Sequence, residues 1–276
     1  MENYLLIGAG YLGQNIANAL NEDCVVTVTS TTQSKAEALG GVGSYQKNLN
    51  AGAKGAKYDV LDNQDGICIC IAPSGGSSYE DVFIKGVDAI VEQLKSRLRG
   101  RNLHLTFISS TGVYGDQNGC IAYETLTPDY KDPTACILSS AENKLLTLEN
   151  ESTKVCILRL GGIYGPGRDM ASWFKQVAGQ PVAMAGEHAC AWIHVEDAAE
   201  AAAFAYRKKL SGVYNVCDDW KYSRREIGSL ICDHEGLPPI LWNAEGFNAQ
   251  RNTNARVGNS KIKRAGFKLK HESMLV

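Results

Sequence analysis

One stretch near the start of the chain, Tyr4 to Leu20 (YLLIGAGYLGQNIANAL), constrains the fold more than any other. A short apolar run, Tyr4 to Ile7, leads straight into Gly8, Gly10 and Gly13 at the spacing G-x-G-x-x-G. The residues that follow repeat at helical spacing, with Leu12, Ile16, Ala19 and Leu20 on one face. The pattern is strand, tight turn, helix. Gly8 permits the turn out of the strand, Gly10 has no side chain to keep a pyrophosphate off the backbone, and Gly13 lets the helix pack close to the strand. The amides and positive dipole end of a helix beginning at Tyr11 and Leu12 would then face the phosphates. A purely structural glycine-rich turn is the competing reading, since the chain holds 28 glycines. The position of the motif, directly after a strand and directly before an amphipathic helix, favours the dinucleotide.

The next segment, Cys24 to Thr29 (CVVTVT), is β-branched and continuous, as a buried parallel strand should be. An NAD-selective site usually carries Asp or Glu about 20 residues past the glycines to hold the ribose 2′-hydroxyl. Here the loop reads Thr29, Ser30, Thr31, Thr32, Gln33, Ser34, Lys35. Nothing in it repels a 2′-phosphate, and Ser30, Thr31 and Lys35 could bind one. The residues therefore favour NADP over NAD, although the usual Arg is also missing.

Gly40 to Asp62 is the least legible part of the chain, rich in glycine and poor in helix pattern. Gly66 to Pro73 (GICICIAP) reads as another buried strand, and the APSGG that ends it, with Ala72 and Pro73, either passes the adenine side of a cofactor or forms a plain loop. Asp81 to Leu98 has helical periodicity and supplies the crossover that parallel strands need; Leu103 to Ile108 is the next strand. The repeated alternation predicts an α/β fold built on a Rossmann-type, doubly wound parallel sheet. Ligands of such sheets sit beyond the carboxyl ends of the strands. Ser109, Ser110 and Thr111 stand there, either as substrate-touching hydroxyls or as a helix cap or turn.

Composition removes several classes of function. The 28 Lys and Arg balance 30 Asp and Glu, a formal charge of −2, so no general basic field invites nucleic acid or an anionic membrane. The local run KIKRAGFKLKH reads as a solvated face. Nine cysteines, several in strand-like segments, act as small hydrophobes, and the absence of C-x-x-C pairs argues against zinc or redox motifs. A reducing cytoplasm is the expected setting, with no export signal or membrane span.

Five segments occur in order along the chain: GAGYLG near the start, SSTGVYG, LRLGGIYGPGR at 158 to 168, WIHVEDAAEAAAFA at 192 to 205 and GVYNVCDD at 212 to 219. Together they resemble the extended short-chain dehydrogenase/reductase superfamily in its NAD-dependent epimerase/dehydratase branch. The resemblance implies one NAD(P)-binding Rossmann domain over 1–276, with a small C-terminal substrate lobe from about 165–181 and 218–276. It also implies hydride transfer between a substrate carbinol and a nicotinamide, with a Tyr moving the proton and a Lys four residues later lowering the Tyr pKa. By the same resemblance Ser110 holds the substrate oxygen. Tyr164 matches a residue whose backbone passes the nicotinamide, although a rigid turn set by Pro166 is the alternative.

The chain departs from this pattern at the Tyr-x-x-x-Lys position. In YKDPTACILSSAENKLLTLE, one register puts Thr134 at the tyrosine and Leu138 at the lysine; the other puts Ser140 at the tyrosine and Lys144 at the lysine. Neither supplies a Tyr. A Ser or Thr hydroxyl is a far weaker acid than a phenol of pKa about 10, and positioned acid–base groups contribute about 10²- to 10⁴-fold. The resemblance is therefore to the atypical members of the superfamily.

Arg168 either clamps a substrate carboxylate or phosphate or is an ordinary surface residue. His188, Cys190 and His194 have metal-like spacing, but no carboxylate or further thiol completes a site, so no metal is expected. Asp197 is read as the cap of a helix over 198 to 205, Asn215 as a turn residue, and Cys217 as lacking the base a nucleophile needs. The short tail points to a small-molecule substrate rather than a bulky nucleotide-sugar. Two functions remain open: an NADP-dependent oxidoreductase or isomerase acting on a small hydroxyl or carbonyl compound, and a silent NAD(P)-binding module acting through a protein partner. A homodimer through the helices 81–98 and 134–149 is a further possibility by resemblance.

Overall fold

A computed structural model describes residues 1–73, 75–97, 102–243 and 253–274. Ser74 of the expected cofactor loop and Leu98 of the expected crossover helix lie outside the described residues, as do residues 244–252 of the expected lobe. The strands in chain order are β1 (Glu2–Ile7), β2 (Cys24–Ser30), β3 (Tyr45–Asn48), β4 (Gly66–Ile69), β5 (Leu103–Ser110), β6 (Asp116–Ala122) and β7 (Thr153–Leu160). They continue as β8 (Gly162–Tyr164), β9 (Pro181–Val182), β10 (Trp192–His194), β11 (Gly212–Val216), β12 (Leu241–Trp242) and β13 (Asn254–Val257). The α-helices are α1 (Tyr11–Leu20), α2 (Gln33–Glu37), α3 (Val87–Arg97), α4 (Pro133–Leu146), α5 (Met170–Gln176), α6 (Val195–Arg207), α7 (Arg224–Glu235) and α8 (Ser260–Arg264).

Seven strands form one sheet in the order β11-β7-β5-β4-β1-β2-β3. The pairs β1/β2, β1/β4, β2/β3 and β4/β5 are parallel. From β1 the chain winds outward through β2 and β3, then returns and winds the other way through β4, β5, β7 and β11. That reversal is the switch point at which doubly wound sheets bind ligands, and it falls between β1 and β4. The apolar runs predicted as strands are buried on both faces: Leu5, Leu6, Val26, Val28, Ile67, Ile69, Leu105 and Phe107 are fully shielded. On α1 the buried face is Leu12, Gly13, Ile16, Ala17 and Leu20, so Ala17 takes the core position expected for Ala19.

The crossover before β5 differs in detail from expectation. It begins as a wide π-helical stretch, Glu80–Gly86, and tightens into α3 at Val87. In the illegible segment lies β3, whose residues Tyr45–Asn48 are exposed or half-buried at the sheet edge, so they carry no apolar alternation to read.

The chain forms two compact units: 1–109, 136–159 and 198–214; and 110–135, 160–197 and 215–276. The first carries most of the large sheet. The second carries three two-stranded parallel pairs, β8/β10, β9/β12 and β6/β13, and a core of Phe174, Ile227, Ile231, Cys232 and Ile240. Within it Asn215 is not a turn residue: it is fully buried in β11, its Oδ1 accepts from Tyr114 Oη at 2.7 Å, and its Nδ2 donates to the Gly258 carbonyl at 3.0 Å. Among the described residues no helix is long and apolar enough to cross a membrane.

Candidate functional site

At the end of β1, Ile7 stands between Thr29 of β2 and Ile69 of β4. The chain then turns at Gly8, whose φ of +101° suits glycine alone. The Gly8 and Ala9 amides donate to Thr29, at 3.3 Å to its hydroxyl and 2.9 Å to its carbonyl, which anchors the turn to β2. A Cβ on Gly8 would lie 2.2 Å from the Cys70 carbonyl oxygen, and one on Gly13 would lie 2.2 Å from the Gly8 carbonyl oxygen. Both are closed by backbone, which no side-chain movement relieves. A Cβ on Gly10 would meet nothing within 4 Å. The first and third glycines are therefore required by the fold itself, whereas the second keeps clear an open space at the start of α1. Gly10 caps α1 without a side-chain acceptor, and no acidic residue occupies the first turn at Tyr11, Leu12 and Gly13. This is the arrangement that accepts a phosphate.

The other expected cofactor residues of the first unit follow the carboxyl ends of neighbouring strands. Ser30 is the last residue of β2, and Thr31 and Lys35 are exposed just beyond it. Thr32 caps α2 by accepting from the Lys35 amide at 3.3 Å. The Glu37 carboxylate at the end of α2 accepts from Gln33 at 2.9 Å. Ala72 and Pro73 lie beyond β4, and the amide of Cys70, the residue directly after that strand, donates to the Ile7 carbonyl at 2.8 Å.

Ser110 ends β5, and its Oγ accepts from the Gly112 amide at 3.0 Å, capping the short turn that begins at Thr111. The cap and the substrate-holding role are compatible, because accepting that bond leaves the hydroxyl hydrogen able to donate. In α4, Thr134 lies in the first turn and Leu138 is 3% exposed, packed in the core where that register would put a lysine. Ser140 is exposed, and Lys144 is ion-paired with Asp88 of α3. Beside them a buried charge pair ties three elements. The Arg159 guanidinium binds Glu142 in bidentate fashion, with Nη2 at 2.6 Å, and Ser109 Oγ donates to Glu142 at 2.5 Å. The sequence leaves Ser109 open between a substrate contact and a cap or turn; the fold gives its hydroxyl to Glu142 instead.

In the second unit Tyr164 is buried at the end of β8, and its hydroxyl has no hydrogen-bond partner among the described residues. Burial, then the charges of Asp218 and Asp197, hold its pKa above the usual tyrosine value. Arg168 is exposed and closes a turn on Gly165, with backbone bonds of 2.8 and 3.2 Å. Burial pushes Cys217 up to about 12, so it holds no thiolate at neutral pH. Sequence reading missed Asp218. It is fully buried, its Oδ1 accepts from the Trp220 amide at 3.1 Å, its Oδ2 is unpartnered among the described residues, and desolvation raises it to about 7. An Asp in a D-D pair after a strand carries no sequence mark of that burial. Asp197 is also corrected: α6 begins at Val195, and the Asp197 carboxylate accepts from the Lys270 and His271 amides at 2.8 and 2.9 Å instead of capping the helix.

Comparison with known proteins agrees with this geometry. The model of the NAD dependent epimerase/dehydratase family matches residues 4–217. Protein YeeZ of Escherichia coli strain K12 is 30% identical over 245 residues, spanning 87% of this chain and 86% of YeeZ. A conserved protein of unknown function from Silicibacter pomeroyi DSS superposes with a TM-score of 0.79 at 26% identity, covering 99% of this chain and 95% of the other. The UDP-glucose 4-epimerase of Thermus thermophilus, solved in complex with NAD, superposes with a TM-score of 0.74 at 21% identity over 99% and 95% of the two chains, a likeness of fold. The glycine turn at the switch point, the Rossmann-type sheet and the matched model together establish that the chain belongs to the NAD dependent epimerase/dehydratase family.

Proposed function

We propose that this chain binds NADP in preference to NAD and acts as an oxidoreductase or isomerase on a small molecule bearing a hydroxyl or carbonyl group. The observation that carries the reading is the glycine turn. Gly8 and Gly13 are closed by backbone, while Gly10 faces open space at the amide end of α1, beyond the carboxyl ends of β1, β2 and β4. Gly8, Gly10, Tyr11, Leu12 and Gly13 would hold the pyrophosphate. Ser30, Thr31 and Lys35 would hold the 2′-phosphate, Ala72 and Pro73 would flank the adenine side, and Tyr164 would line the nicotinamide end. The bound nicotinamide supplies a hydride acceptor or donor. Ser110, its oxygen already held by the Gly112 amide, donates its hydrogen to the substrate oxygen and orients the carbinol. Thr111 and Arg168 are assigned to substrate contacts. With no Tyr in either register, the hydroxyl proton leaves through Thr134 or Ser140, or to water. The chemical step is then slower by much of the 10²- to 10⁴-fold that a positioned acid–base group contributes. The free thiols at all nine cysteines support a reducing cytoplasm as its setting.

The test is a fluorescence titration of the purified protein with NADPH and, separately, with NADH. Saturable binding with NADPH at least about tenfold tighter, about 1.4 kcal/mol, is the expected result. It would justify a screen of hydroxyl and carbonyl compounds, nucleotide-sugars included, with Ser110→Ala as the control that loses turnover but keeps NADPH. Binding of neither nucleotide would remove the cofactor assignment. A second reading, a dinucleotide-binding module without turnover, is favoured by Leu138 in the core and by Lys144 paired with Asp88. It predicts tight NADPH binding with no redox change across the screen.

A further inference from the structure

Two side chains close in sequence, His194 and Glu196, meet a third that is remote from both, His271, in the second unit. His194 ends β10, Glu196 lies in the first turn of α6, and His271 follows α8. One ligand-capable atom from each, two imidazole nitrogens and a carboxylate oxygen, all lie within 4.8 Å of one another. The His194 and His271 rings are in tilted contact, with centroids 3.7 Å apart and planes inclined by 37°, and His271 Nε2 is 3.1 Å from Glu196 Oε2.

The meeting is held from behind. Asp197 is fully buried and accepts the amides of both Lys270 and His271, which fixes the backbone that carries the second imidazole. His194 is 8% exposed and packs edge-on to Tyr164 at 5.3 Å. Two ligands therefore sit on fixed backbone, and the third, Glu196, is exposed enough to turn toward an ion and leave room for water.

We propose that His194, Glu196 and His271 form a binding site for a divalent transition-metal ion of the zinc class. Two imidazoles with one carboxylate suit zinc, cobalt or nickel; calcium and magnesium take all-oxygen sets. Bonds of about 2.0–2.2 Å put tetrahedral ligand atoms roughly 3.3 Å apart, and rotation of Glu196 and His271 closes the remaining gap. Water completes the coordination. Binding at His194 Nδ1 gives up one contact, the Glu196 amide that now donates to that nitrogen at 3.3 Å. The ion clips the C-terminal segment to the corner between β10 and α6. The site is independent of the dinucleotide reading. From the sequence the H-x-C-x-x-x-H spacing of His188, Cys190 and His194 is set aside and no metal is expected; the approach of His271, far beyond His194 in the chain, leaves no mark in a linear pattern.

The probe is Co²⁺, titrated into the full metal-free chain and followed by visible absorption, since nine thiols also attract metals and a thiolate ligand would add its own near-ultraviolet charge-transfer band. Saturation at one equivalent without that band is expected, with binding at least about tenfold weaker in His271→Ala and in Glu196→Gln. Zn²⁺ should raise the melting temperature of the wild type and of neither variant. Glu196 is exposed, so Glu196→Gln keeps the fold and decides the matter if His271→Ala is unstable. The proposal is overturned by no saturable binding, by a thiolate band, or by equal affinity in wild type and Glu196→Gln.

Discussion

A single β-carbon separates two kinds of glycine in the motif. Gly13→Ala would force a carbon to 2.2 Å from the Gly8 carbonyl, so helix α1 must shift from the sheet, with a loss of about 1–3 kcal/mol in denaturant unfolding. Gly10→Ala meets nothing within 4 Å and its φ of −77° suits alanine. Its stability should change by no more than about 1 kcal/mol, the scale of an altered helix cap, while NADPH affinity falls at least about tenfold. Parallel melts and titrations of the two variants separate the structural from the phosphate-facing role. Buried titratable groups act at the same scale. Asp218 is raised from 3.8 to about 7 by desolvation, so the folded state binds its proton more tightly and the group removes stability as pH rises from about 4 to 7. His104, lowered to about 4 by burial, does the reverse: stability is lost as pH falls from about 6.5 to 4. The two partly cancel in wild type. Asp218→Asn should therefore gain stability relative to wild type between pH 5 and 8, by at most about 4 kcal/mol, read as the difference between two melting profiles.

At the scale of elements, two ion pairs on α4 have opposite weight. Glu142 and Arg159, 2% and 5% exposed, join α4 to β7, and Ser109 adds β5. Arg159→Met leaves a carboxylate buried with only one hydroxyl donor, and should cost about 3–5 kcal/mol in urea unfolding. Lys144 and Asp88 are about 40% exposed, and Lys144→Met should cost under about 1 kcal/mol. Glu142 of AENKLL was not legible as half of a buried pair, because its sequence neighbours do not reveal that it meets Arg159 of β7. The apolar runs of β1, β2, β4 and β5, by contrast, were legible because strands buried on both faces must be continuous in apolar residues. The exposed edge strand β3 was not.

At the scale of the whole molecule, the order of motifs was enough to place the chain in its family, and the matched residues 4–217 span all five of them except the last two positions of the fifth. The sequence alone determined the strand–turn–helix unit, the winding of the sheet and the position of the glycine turn, because these follow from local propensity, periodicity and the steric needs of single residues. Only the tertiary structure decided that Ser109 serves Glu142, that Asn215 is a buried hub, that Asp197 holds the backbone of Lys270 and His271, and that His194 meets His271. Each of these joins residues far apart in the chain. Long-range partners are chosen by packing and by the demand that buried polar groups find one another, and a linear pattern records neither.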